Sequence, residues 1–151
     1  METTMTQPTA QVSRTVEAPA DEVWEAITTP EKVRTFFMGA KVESDFKVGS
    51  PIRFKGEFKG QAYEDKGEIL EVEPGKKLSF SHYSPMSGAP DEPESYHVVT
   101  YELTPEGEQT RVTLTQSHLK GGVRKEDREH RAEYERNWAG VLAGLSKAVA
   151  H

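Results

Sequence analysis

The chain has 151 residues, of which 34% are hydrophobic and 29% charged, with a formal net charge of -6; a single domain of this length buries roughly 70% of the surface that its unfolded form exposes. An acidic balance without a basic block argues against nucleic-acid binding, because phosphate contacts need clustered Lys and Arg. Cysteine is absent, which removes disulfides, thiolate metal sites and cysteine nucleophiles and fits a reducing compartment. Residues 1–10 are polar and lack the apolar core of a signal peptide, and no stretch approaches the roughly 18 apolar residues of a membrane span. The expectation is a soluble, cytoplasmic protein: a loose, disordered tail over residues 1–10, then one domain over residues 11–151 without internal repeats.

In chain order, residues 11–17 alternate Val12 and Val16 with Ser13, Thr15 and Glu17, as a half-buried strand does, although Arg14 shares the parity of the valines. Pro19 opens a short helix where a missing amide costs least, with Val23, Trp24 and Ile27 as its buried side. Thr29-Pro30-Glu31 repeats the start signal with an N-cap hydroxyl, a proline and an acid in the first turn; Val33, Phe36 and Phe37 form the apolar face and Gly39 ends the helix.

From Lys41 onward the pattern is strands and turns. Ile52, Phe54 and Phe58 share one parity, Ile69, Leu70 and Val72 follow Gly67, and Pro74-Gly75-Lys76 forms a turn. Leu78, Phe80 and His82 alternate with Ser79, Ser81 and Tyr83; a loop rich in Pro, Gly and Ser spans 84–94; His97, Val99, Tyr101 and Leu103 then alternate again. Pro105-Glu106-Gly107 turns the chain back into a strand over 111–118, with Val112, Leu114, Gln116 and His118 on one side. Gly121 and Gly122 release it into a last helix, where Tyr134, Trp138, Val141, Leu142, Leu145 and Val149 fall on one stripe at a period of 3.6. The sign-alternating run 124–136 reads as the solvated face of that helix's start. Helices segregated from a run of antiparallel strands make an α+β fold, and a long amphipathic helix on a curved sheet often encloses a pocket.

With these elements placed, the chain resembles a helix-grip protein of the START-like, birch-pollen-allergen-like (SRPBCC) superfamily, in the branch of homologues of the activator of heat-shock-protein ATPase. The resemblance runs from Val12 to Val149. It is carried by Ala18-Pro19 leading to Val23-Trp24 and Ile27, by Thr29-Pro30-Glu31 leading to Phe36-Phe37, by Gly67-Glu68-Ile69 with Pro74 and Leu78, by Leu103-Thr104-Pro105 through Val112, and by residues 137–142. Two positions depart from the family pattern at the pocket mouth: Phe37 stands about where a tryptophan is usual, and Ser50 before Pro51 replaces a second glycine beside Gly49. The resemblance implies a seven-stranded antiparallel sheet curved around the C-terminal helix, two short helices after the first strand, and a cavity between. It implies no single activity, since similar domains bind lipids, cyclise polyketides, sense hormones or stimulate a chaperone in stress responses.

Three histidines share the inward parity: His82 with Phe80, His97 with Val99 and Tyr101, and His118 with Leu114 and Gln116. A hairpin turn near Pro105 sets His97 across from His118 or one pair displaced, and the family topology makes the strand of His82 the next neighbour. Such imidazoles serve as pocket-rim residues bonded to backbone or water, as polar anchors for a ligand oxygen or carboxylate, or as a three-histidine metal site, for which no HExxH-type spacing is present. A general acid or base needs a reacting partner. Ser79, Ser81 and Ser117 have outward parity and there is no Gly-x-Ser-x-Gly elbow; Tyr63 and Asp65 share the parity of Gly67 and Ile69, but a bulge before Val72 would turn them away.

The aromatics Phe36, Phe37, Phe54, Phe58, Phe80, Tyr101 and Trp138 read as core or cavity lining, and Gln116 is the expected partner of the Trp138 indole. Gly140 and Gly144 weaken the last helix unless another backbone approaches closely. The expected function is binding of a small hydrophobic or amphipathic molecule by Phe37, Phe54, Phe80, His82, His97, Tyr101, Gln116, His118 and Trp138, with no cofactor and no bound metal. The alternatives are a module that modulates a heat-shock chaperone ATPase, favoured by an exposed apolar patch at Phe37, Met38 and the 84–94 loop, and a cyclase- or hydrolase-type enzyme using the histidines. Oligomeric state is left open.

Overall fold

The computed structural model describes residues 8–37, 39–85 and 88–149, so most of the expected tail, residues 1–7, lies outside the described residues. The strands are β1 (Ala10–Val16), β2 (Lys41–Ser44), β3 (Pro51–Phe58), β4 (Gln61–Glu73), β5 (Lys77–His82), β6 (His97–Glu106) and β7 (Gln109–His118); the helices are α1 (Ala20–Thr28), α2 (Pro30–Phe36) and α3 (Lys125–Val149). All seven strands form one antiparallel sheet in the order β1-β7-β6-β5-β4-β3-β2. β1 and β2 are its two edges, so α1 and α2 carry the chain from one edge to the other. This is the α+β helix-grip fold, and none of the described helices is long and apolar enough to cross a membrane.

Alternation along the strands builds the core. Ile52 and Phe54, Leu78 and Phe80, Val99, Tyr101 and Leu103, and Val112 and Leu114 are all buried and join Val23, Ile27, Val33, Phe36 and Phe37 from the short helices. The side chain of Phe58, expected among them, lies outside the described side chains. On the other face of the sheet, Ser79 Oγ bonds Thr100 Oγ1 at 3.1 Å, and Ser81 Oγ accepts the Glu68 amide at 3.0 Å. β1 is anchored ahead of residue 11: Thr9 and Ala10 are fully buried, and the Thr9 amide donates to the Gln116 carbonyl at 2.7 Å.

Three local expectations change. Pro19 is the N-cap of α1 and not its first helical residue. Thr29 occupies the N-cap of α2, but its hydroxyl makes no capping bond; Pro30 at the first position already lacks one of the amides a cap would satisfy. The β6–β7 turn lies at Gly107 and Glu108, while Pro105 pairs with Thr110 inside the ladder. β5 stops pairing with β6 at Glu102, so Pro105 sits where β6 has a free flank and needs no amide there.

The β4–β5 register shifts between Ile69 and Glu71. The shift brings Val72 onto the inner face, opposite Leu78 and against the core, and Tyr63, Asp65 and Ile69 are on that face as well, with Ile69 fully buried. Just before the bulge a side chain at Gly67 would come within 1.7 Å of the Ser81 carbonyl oxygen. On α3, Gly144 lies against α2, where a Cβ would be 3.1 Å from Phe36 Cβ, while Gly140 faces open space; only the first of the two expected close approaches exists. Gly67→Ala is expected to destabilise the fold by about 3 kcal/mol or more through overpacking against backbone. Gly140→Ala should stabilise it by up to about 1 kcal/mol through helix propensity alone; urea unfolding of both variants against the parent chain checks the pair.

Candidate ligand-binding site

Beneath the N-terminal and central part of α3 the sheet leaves a cavity of about 340 Å³. Strand parity aims Phe54, Tyr63, Asp65, His82, His97, Val99 and Gln116 into it, α3 contributes Tyr134, Asn137 and Trp138, and Phe37 and Ala40 close one end. The aromatic wall is continuous. Trp138 and Phe37 have ring centroids 5.8 Å apart, Phe37 stacks on Phe54 at 5.1 Å, and Phe54 meets the His82 ring edge-on at 5.7 Å, geometries that aromatic pairs favour.

Polar groups run alongside this wall. Trp138 Nε1 donates to Gln116 Oε1 at 2.7 Å, the bond expected from the sequence, which spends the amide oxygen and leaves the Gln116 NH2 group as its remaining polar atom. The three histidines form a cross-strand row, with His82 opposite His97 and His97 opposite His118, but their rings do different things. His82 Nε2 lies 3.0 Å from Asp65 Oδ2 and His97 Nε2 lies 3.0 Å from Asp127 Oδ1. A carboxylate only accepts, so in both pairs Nε2 carries the proton. His118 leaves the cavity: its Nε2 donates to the Glu94 carbonyl at 2.8 Å and its Nδ1 accepts the Lys120 amide at 3.0 Å. That ring staples two turns together. Among the described residues no group of three His, Asp or Glu side chains is placed to hold a metal ion.

Phe80 and Tyr101 also sit apart from this cavity. Both are buried in the core beneath Phe54, where burial pushes the Tyr101 phenol far up from its ordinary value. The sequence reading missed Asp127, which falls in the run 124–136 taken for a solvated face. It is 3% exposed, and its Oδ2 accepts the Arg124 amide at 3.2 Å as the third residue of α3, the reciprocal half of a capping box. Thr9 Oγ1 reaches the same oxygen at 3.5 Å. The signal was available: Asp127 is seven residues before Tyr134 and extends the apolar stripe by two turns.

Electrostatics keep the cavity's polar groups neutral or negative. Burial holds the His97 imidazole below its ordinary 6.5, against the upward pull of the Asp127 bond and charge. Burial and the Asp65 carboxylate raise the Tyr63 phenol, and burial with Asp127 raises that of Tyr134, so both stay protonated donors at neutral pH. Asp65 Oδ1 is buried with no hydrogen-bond partner.

The model of the activator of Hsp90 ATPase homolog 1-like protein family matches residues 17–150. The chain belongs to this family. Among solved structures the AHSA1-like chain is similar to the ChR145 protein of Cytophaga hutchinsonii, at 44% identity over 91% of this chain and 90% of that one, with a TM-score of 0.73. It shares its fold with the Aha1 dimer from Colwellia psychrerythraea, at 20% identity over 93% of this chain and 94% of that one, TM-score 0.69. It likewise shares its fold with DynU16 of the dynemicin biosynthetic locus, at 24% identity, TM-score 0.72, over 91% of this chain but 45% of that one. No curated protein matches the AHSA1-like chain.

Two outcomes test the site's construction. Asp127→Ala removes a cap and the partner of a buried imidazole, and should cost about 2 kcal/mol in chemical denaturation; Glu129→Ala, on the exposed side of the same helix, should cost about 0.5 kcal/mol or less. Well above about pH 6.5 His97 is neutral in both folded and unfolded chains. As pH falls below this, the unfolded imidazole takes up a proton that the buried one resists, so stability drops until the depressed folded value is passed and then levels. Subtracting the stability–pH curve of His97→Gln from that of the parent should isolate this decline.

Proposed function

We propose that the chain binds a small hydrophobic or amphipathic molecule between the sheet and α3. The supporting observation is a cavity of about 340 Å³ lined by the contiguous aromatic rings of Trp138, Phe37 and Phe54 and, beside them, by fixed polar groups, the ordinary composition of a small-molecule site. The apolar wall supplies affinity by removing ligand surface from water, and the His82, His97 and Gln116 side chains orient the ligand's polar end. His118, Phe80 and Tyr101 act behind these residues, holding strands and turns in place.

The family's name speaks for the second reading, modulation of a chaperone. The patch on which that reading depended does not gather support: Phe37 is buried, Met38 and residues 86–87 lie outside the described residues, and among the described residues the exposed large apolar side chains are Val48 and Leu119. The cyclase or hydrolase reading gains two inward carboxylates, Asp65 and Asp127, but no activated nucleophile, and stands behind binding. A thermal-shift screen with compact apolar compounds tests the proposal. A true ligand at about a hundredfold its Kd adds about 2.7 kcal/mol, roughly 5–10 °C in Tm for a domain of this size, and the gain should vanish in Trp138→Ala. A screen without any stabilising compound removes the proposal.

A further inference from the structure

The charge balance of the cavity wall selects among possible ligands. No Lys or Arg among the described residues lines the cavity, and each imidazole that does, His82 and His97, is bonded to a carboxylate, Asp65 and Asp127 respectively, at 3.0 Å. With both rings neutral the wall is negative; with both protonated it is no better than neutral. In neither state does it offer the uncompensated positive charge that a desolvated carboxylate, sulfate or phosphate requires. The two guanidinium groups nearest in sequence to Asp127 are committed elsewhere, that of Arg128 to the Val123 carbonyl and that of Arg124 to the Gly121 carbonyl and Glu94.

Hydrogen-bond inventory points the same way. Asp65 Oδ1 has no donor at all, the Nδ1 atoms of His82 and His97 are left as acceptors when Nε2 holds the proton, and the aromatic wall presents π faces, which attract cations and repel anions. Around Asp65 the site offers acceptors that a donating head satisfies. We infer that the ligand is an amphipathic molecule with a non-anionic, hydrogen-bond-donating head, a hydroxyl or amine on a compact apolar body, and that Asp65 is the residue that rejects anionic analogues such as fatty or aromatic acids. This rests on the binding proposal above and narrows its ligand class; of the histidine roles open from the sequence, it sets aside the anchoring of a carboxylate.

The test uses three probes with one two-ring body: naphthylmethanol, naphthylmethylamine and naphthoate, titrated into the full chain at pH 8 by calorimetry. The alcohol and the amine should bind, and the carboxylate should bind at least about tenfold more weakly than either, because it brings a like charge beside Asp65 out of water. In Asp65→Asn the carboxylate should recover to within about threefold of the alcohol. Naphthoate binding as tightly as or more tightly than the alcohol in the parent chain overturns the inference while leaving the binding proposal intact, whatever the variant does. Binding of none of the three removes both. Should Asp65→Asn not fold, the ranking in the parent chain still decides.

Discussion

Helix α3 is held to the sheet at its two ends by different interactions, and the space between them depends on both. At the C-terminal end the attachment is dense and apolar: Val141, Leu142 and Leu145 are almost completely buried, and Gly144 lets the backbone of α2 come against the helix. Near the N-terminus it is polar. The buried Asp127 carboxylate caps the helix, receives the His97 ring from β6 and is approached by Thr9 ahead of β1. A second tie, from the Gln11 amide to Glu135 at 3.1 Å, runs along the sheet edge. Apolar packing throughout would pull the helix flush against the strands, because interiors tolerate few voids. A polar attachment at one end keeps the span from Tyr134 to Trp138 over open space.

The seven strands and the grip on α3 are shared with proteins at 20–24% identity, so they say nothing about the guest. This chain's own lining is what bears on it. Phe37 stacks on Phe54 and extends toward Trp138, while Asp65 and Asp127 hydrogen-bond the two imidazoles that face inward. The cavity is therefore rich in aromatic surface and poor in positive charge.

Much of the architecture was legible in the sequence because strand parity and helical period are local signals. The alternation of Leu78, Phe80 and His82, of His97 through Leu103, and of Val112 through His118 predicted both the strands and the row of histidines. The stripe from Tyr134 to Val149 predicted the helix and even the Trp138–Gln116 bond, since a buried indole needs an acceptor. The limits were equally physical. Parity says that a side chain points inward but not how far along the strand the cavity extends, so Phe80, Tyr101 and His118 were grouped with residues that line it. The β3–β4 hairpin passed unread because Lys59, with φ of 52°, takes a left-handed conformation beside Gly60, unusual for a residue with a Cβ. Asp127 was hidden by composition: in a run of alternating charges one buried carboxylate looks like its neighbours, and its position three residues into the helix, on the extension of the Tyr134 stripe, gives it away.

The central claim is that the space under Tyr134, Asn137 and Trp138 accepts a guest while the C-terminal end of α3 stays closed. Nuclear magnetic resonance mapping of the isotope-labelled chain with a neutral two-ring aromatic alcohol tests it most directly. The account predicts saturable shift changes concentrated at Phe54, His82, His97, Asn137 and the Trp138 indole, with Leu145 and Phe36 unmoved. Changes confined to the groove of Glu25, Lys32 and Lys147 beside α1, or a spectrum indifferent to the alcohol, would contradict it.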